Sequence, residues 1–196
     1  YYNPSWGYQA GKVRSANLSK SLLPTLVGSY NRELTERSNI TLSLALTAGQ
    51  TARGSIDWLN TQTPLPDNYR YLPSYFERQG DYEKADIVRW AWGSDWGTRQ
   101  IDWDRLYNNN YGNVTEDSKI EGLNGLRRSN YVIEERHTDQ RDANFKVQWM
   151  KTLRGGHRLN MGLDARYNRT EYYKKVKDLL GGDYWVNVDN FAERDV

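Results

Sequence analysis

The sequence predicts a mainly β chain: a segment of a transmembrane antiparallel β-barrel, built from two hairpins with short turns plus long extracellular loops that contain short helices. Three observations lead there. Two regions alternate apolar and polar residues with period two, as a strand with two unlike faces requires. Each region joins two runs of about ten residues, the length of a tilted strand crossing a bilayer. Both short turns fall on one side, while residues 50–142 make one long connection on the other, the asymmetry typical of outer-membrane barrels.

The first hairpin pairs the run from Leu22 to Leu34 with the run from Asn39 to Ala48. In the second run Ile40, Leu42, Leu44, Leu46 and Ala48 share one face, and Asn39, Thr41, Ser43, Ala45 and Thr47 the other. The polar stretch Thr35-Glu36-Arg37-Ser38 connects them. In the second hairpin Phe145, Val147, Trp149 and Leu153 oppose Asn144, Lys146, Gln148 and Thr152. Arg154-Gly155-Gly156-His157 makes the turn, its glycines supplying positive φ. Leu159, Met161, Leu163, Ala165 and Tyr167 then alternate with Asn160, Gly162, Asp164, Arg166 and Asn168.

Within 50–142 the spacing predicts a helix from Asp81, as N-cap, to Gly93, as stop. A second helix is predicted over 100–108, followed by irregular loop at 108–113, and a strand over 129–135. The start at Tyr1-Tyr2-Asn3-Pro4, with neither an initiating Met nor a signal peptide, is read as part of a larger protein, so that 1–196 is one partial barrel segment.

Composition narrows the function classes. The absence of Cys excludes a disulfide scaffold, thiol chemistry and Cys-ligated zinc. The net charge of +2, from 27 basic and 25 acidic residues, gives no electrostatic case for nucleic acid. With 15 Tyr and 8 Trp the chain is too aromatic for a disordered segment. It holds no apolar run long enough for a transmembrane helix.

Several short segments, in order along the chain, resemble a subgroup of TonB-dependent outer-membrane receptors. They are Asn3-Pro4-Ser5-Trp6-Gly7-Tyr8-Gln9-Ala10-Gly11-Lys12, then Pro64-Leu65-Pro66-Asp67-Asn68-Tyr69-Arg70-Tyr71-Leu72-Pro73-Ser74-Tyr75, then Gln100-Ile101-Asp102-Trp103-Asp104. Asp178-Leu179-Leu180-Gly181-Gly182-Asp183-Tyr184-Trp185 and Asp189-Asn190-Phe191-Ala192-Glu193-Arg194-Asp195 complete the set. The resemblance implies a bacterial outer-membrane protein with a barrel of about 22 strands, an N-terminal plug and a box that engages TonB, with loops exposed at the cell surface. Its implied partners are a nutrient ligand of unassigned class, TonB through parts of the receptor outside this chain, outer-membrane lipid and a surface lipoprotein.

Catalytic patterns are weak, and no enzyme activity or cofactor is expected. His137 and His157 stand in no recognised constellation, and the carboxylate pairs Asp102/Asp104 and Glu134/Glu135 have Arg105 and Arg136 beside them as salt-bridge partners. Asp102, Asp104, Asn108, Asn109, Asn110, Asn113 and Asp117 offer oxygens of the kind calcium takes, but their spacing departs from a calcium loop and no metal is predicted. The aromatics of the connection either stack on a ligand or pack with one another. Tyr71, Trp90, Trp92, Trp96 and Trp103 are the expected ligand contacts, Trp90 and Trp92 being too close in sequence to share one face. Asn144, Lys146, Gln148, Asn160, Asp164 and Arg166 are expected to face the barrel lumen. The competing reading is a soluble extracellular carbohydrate-binding β-sandwich. In it Leu42, Leu44, Leu46, Val147, Trp149, Leu159, Met161 and Leu163 would be core instead of facing lipid.

Overall fold

A computed structural model describes residues 3–116, 120–189 and 194–195. The described residues are mainly β, with 50% strand and 19% helix, and their sheets are antiparallel. In order it forms β1 (Trp6–Gln9), β2 (Lys12–Ser15), β3 (Ser19–Leu22), β4 (Thr25–Thr35) and β5 (Ser38–Trp58). There follow α1 (Pro73–Arg78), α2 (Tyr82–Ser94), α3 (Trp103–Gly112), β6 (Tyr131–Thr152) and β7 (Arg158–Asp178), with short strands at Val188–Asp189 and Arg194–Asp195. The main sheet has the order β3-β5-β6-β7, with β4 also paired to β5. The chain divides into two units, Ser19–Arg53 with Arg136–Lys174, and Tyr1–Leu18 with Gly54–Glu135 and Lys175–Val196.

The first unit holds the two predicted hairpins. Leu26 pairs with Leu46, Gly28 with Leu44, Tyr30 with Leu42 and Arg32 with Ile40, so the apolar positions of β4 and β5 share one face. Glu36 and Arg37 close this hairpin between the paired Thr35 and Ser38, with a bulge between Glu33 and Thr35. Gly155 and Gly156 both have positive φ in the second turn, which the Leu153 N–H closes on the His157 carbonyl at 2.7 Å. The Trp149 indole N–H donates to Ser38 Oγ at 2.9 Å. That bond places the apolar positions of β6 on the same face as those of β5, since side chains alternate strictly along each strand.

This unit has no core of its own. Among its described residues only Ala52 is buried. Leu26 and Leu163 keep 68% and 64% of their surface, and Leu44, Leu46, Phe145, Leu159 and Met161 are exposed with them. The opposite face is mostly polar, with Val27, Ala45 and Met150 among its residues, and on it the Asp142 carboxylate accepts hydrogen bonds from Asn168 and Gln140. All six residues expected to face a lumen stand on this polar face. The described strands form an open sheet, so they enclose no lumen.

The second unit has a packed core of Ala16, Ile56, Ile101, Trp103, Leu106, Tyr131, Ile133 and Leu180. β1 and β2 form a hairpin around Ala10 and Gly11, both at positive φ. Asn110, fully buried, ties α3 to this core. Its Nδ2 group shares its hydrogens among the carbonyls of Tyr131, Leu179 and Leu180, at 2.8, 2.9 and 3.1 Å. Its Oδ1 accepts from the Asn130 and Tyr131 N–H groups at 2.8 and 3.1 Å. One side chain thus satisfies five backbone groups that burial would otherwise leave unpaired. At the turn after β7, Leu180 takes φ +49° and Gly181 φ +86°. A Cβ on Gly181 would meet the Tyr111 and Tyr107 rings at 2.8 and 3.0 Å, so only glycine fits there.

Several boundaries differ from expectation. β5 runs to Trp58 and β6 starts at Tyr131, so the connection is 59–130 instead of 50–142. α2 passes through Gly93 to Ser94, and Asp95 is its C-cap, because Gly93 keeps helical backbone with no positive φ. α3 continues through Asn108 to Gly112, where loop was expected; the tertiary bonds of Asn110 outweigh the poor helix propensity of the asparagine run. β1, β2 and α1 were not foreseen. Asp117 and residues 190–193 of the last resembling segment lie outside the described residues.

Candidate ligand cleft

The connection between β5 and β6 folds around three helices, α1, α2 and α3. Pro73 opens α1 at its first turn, where the missing N–H costs nothing. The Asp81 carboxylate caps α2 by accepting from the Lys84 N–H at 3.1 Å. Arg89 on α2 reaches both Glu77 and Asp86, and the Lys84 ammonium stands 4.7 Å from the centre of the Phe76 ring. After α2 the Asp95 carboxylate accepts from the Gly97 N–H at 3.0 Å, the Thr98 N–H at 3.1 Å and the Thr98 hydroxyl at 2.8 Å. The Thr98 hydroxyl bond, then the Gly97 N–H, hold this carboxyl below its ordinary pKa. Asp102 caps α3 through the Arg105 N–H at 2.9 Å. The Tyr71 hydroxyl donates to the Thr63 carbonyl at 3.1 Å, fixing its ring.

These anchors leave a cleft of about 410 Å³. Pro64, Pro66, Phe76, Val88 and Trp92 give it an apolar wall, and Gln100, Asp102 and Arg105 bring polar groups to it. Both prolines are buried, and Trp92 is half-buried. Asp102 spends one carboxylate oxygen on its helix cap. Among the described residues the Arg105 guanidinium makes no ion pair or side-chain hydrogen bond, so the salt bridge expected from its position beside Asp102 and Asp104 is not formed.

Of the five aromatics expected to meet a ligand, Tyr71 and Trp92 line this cleft. Trp90 and Trp96 are exposed and are not among its lining residues, being 72% and 69% accessible. Trp103 is fully buried in the core, beneath the Arg14 guanidinium at 4.4 Å from its ring centre. The expectation that it meets a ligand is corrected: an indole at the first turn of α3 has its face toward the core. Phe76 and Gln100 were missed as cleft residues, and Arg105, one of several arginines in this stretch that could attract an anion, was assigned to charge pairing. The one available signal was that Gln100, Asp102 and Arg105 flank a single helix start.

Several of the remaining candidates have structural partners. Glu134 is buried and accepts from the Ser55 hydroxyl at 3.1 Å. Lys177 pairs with Glu135, and His137 stacks on Tyr173 at 4.9 Å with rings 3° from parallel. Asn110 and Asn113, both in the oxygen-rich run, donate their amides to backbone carbonyls. No protein-family model matches the chain. No curated protein matches it either.

Proposed function

We propose that this chain is part of a TonB-dependent outer-membrane receptor that binds and imports a nutrient ligand. The unit of Ser19–Arg53 and Arg136–Lys174 supplies barrel strands, and the helical connection supplies ligand-facing extracellular loops. The mechanism is binding and gated passage, with no covalent chemistry by these residues. TonB is engaged through parts of the receptor outside this chain, and a surface lipoprotein is a further partner.

The observation that carries this reading is the uncovered apolar face of the sheet. A soluble sheet of this size buries one face against a second layer. Here Leu26, Leu44, Leu46, Leu159, Met161 and Leu163 are exposed together, while the other face is mostly polar, with Val27, Ala45 and Met150 among its polar residues. Lipid against the first face and water against the second would satisfy both. The ordered segments that resemble the receptor subgroup support the same assignment.

The chain contains no Cys, which makes single spin labels unambiguous. Labels at Leu44→Cys, Leu163→Cys and Lys146→Cys are read in the protein reconstituted in bilayers, by collision with oxygen and with a water-soluble nickel chelate. The proposal expects the two leucine positions to favour oxygen, as in hydrocarbon, and Lys146 to favour nickel. Leucine positions shielded from both reagents would instead mark the core of a soluble sandwich and overturn it.

A further inference from the structure

We propose that the cleft between α1, α2 and the start of α3 binds an N-acylated apolar amino-acid unit with a free carboxylate, as found at the C-terminal end of a short apolar peptide. The inference rests on the ligand-facing role proposed above and names the ligand's chemistry. The cleft, about 410 Å³, falls in the range of small-molecule sites. Its wall of Pro64, Pro66, Phe76, Val88 and Trp92 suits a ring or branched aliphatic side chain.

Beside the hydroxyls of Tyr71 and Thr98, which are spent on the Thr63 carbonyl and on Asp95, three further polar side chains line the cleft, and they differ in kind. Arg105 presents only donors, in a planar fork that matches a carboxylate, and it has no partner among the described residues. The Asp102 oxygen not used in capping is an acceptor. Gln100 presents an amide, donor and acceptor at once. A carboxylate on Arg105, an amide N–H on Asp102 and an acyl oxygen on Gln100 use all three. A sugar fits poorly, because a ring of hydroxyls would leave most of its groups against proline and aromatic carbon. A phosphate dianion also fits poorly, with one cation in the lining and the Asp102 carboxylate beside it.

The test titrates detergent-solubilised protein with N-acetyl-L-phenylalanine and, separately, with its primary amide, by calorimetry and saturation-transfer NMR. The two probes differ only in the carboxylate. The expected result is saturable binding of the acid, about tenfold tighter than the amide, the increment of one charge-assisted hydrogen-bonded pair. Arg105→Gln should equalise the two probes, Arg105→Lys should keep part of the difference, and Ala91→Phe should weaken both by filling the cleft. Equal affinity for acid and amide, no saturation by either, or an unchanged preference in Arg105→Gln would each overturn the inference. Unaltered binding in Ala91→Phe would do so too, by placing the probe elsewhere. Binding in detergent is independent of the spin-label pattern, so a failed titration with lipid-facing leucines removes this inference alone.

Discussion

The guanidinium of Arg14 lies over the indole of Trp103, 4.4 Å from its centroid, and binds three further groups from the same position. It donates to the Tyr107 hydroxyl at 3.0 Å and to Gln9 Oε1 at 2.6 Å, and it forms an ion pair with Asp178. Burial works against its charge, and the bonds to Tyr107 and Asp178 more than compensate, leaving its pKa above the ordinary arginine value. One side chain therefore joins β2, α3 and the end of β7 within a single unit.

Arg14→Leu should destabilise that unit by about 2–4 kcal/mol, combining the loss of a cation–π contact with the loss of charged hydrogen bonds. Arg14→Lys should recover little, because an ammonium cannot stack on the ring and reach three acceptors in one plane. Thermal and urea unfolding of the variants measures both effects.

Asn110→Ala should cost about 3 kcal/mol or more, since two N–H groups and three carbonyls lose a buried partner together. Asn110→Asp should be worse than Ala, because a carboxylate would face three carbonyl oxygens. Amide exchange at Asn130 and Tyr131 should rise first, which NMR can follow.

Gly182→Ala places a Cβ 2.0 Å from Ser129 Oγ, whose hydroxyl is itself bonded to the Leu179 carbonyl at 2.8 Å. The overpacking should cost about 1–3 kcal/mol. Gly112→Ala is the matched control. Nothing lies within 4 Å of its Cβ, and its φ is not positive, so its effect on urea unfolding should be small.

Acid should loosen the turn after α2. The folded carboxyl of Asp95 titrates below its ordinary value, so its contribution is present above that ordinary value, about pH 4, and is lost as pH falls through the lower folded value. Protection of the Gly97 and Thr98 amides should therefore fall at the acid end. Asp95→Asn should remove that pH dependence, while an unchanged dependence in the variant would assign it to another group.

The hairpins were legible because period-two alternation is a local signal, and the Asp81 cap was legible because Asp before a helical run has one dominant use. Gly93 misled, since glycine stops a helix only when its backbone turns left-handed, and here it does not. The run Asn108–Asn109–Asn110 read as loop because propensity is local, whereas Asn110 is held helical by carbonyls from β6 and the turn after β7. The cleft was half legible. Tyr71 and Trp92 were found from aromatic density, but density could not separate them from Trp103, which fills the core. Arg105 was assigned to pairing because the acids around it made that the natural expectation.

The sequence by itself determined the strand pattern, the two short turns and the separation of apolar from polar positions, all of which depend on neighbours two to four residues apart. Tertiary structure alone decided which aromatics are buried, where Arg14 and Asn110 spend their hydrogen bonds, and that the apolar face of the sheet is left uncovered. Those outcomes depend on partners such as Asp178 for Arg14 and Leu179 for Asn110, far away along the chain. No local pattern encodes how well two such distant groups fit.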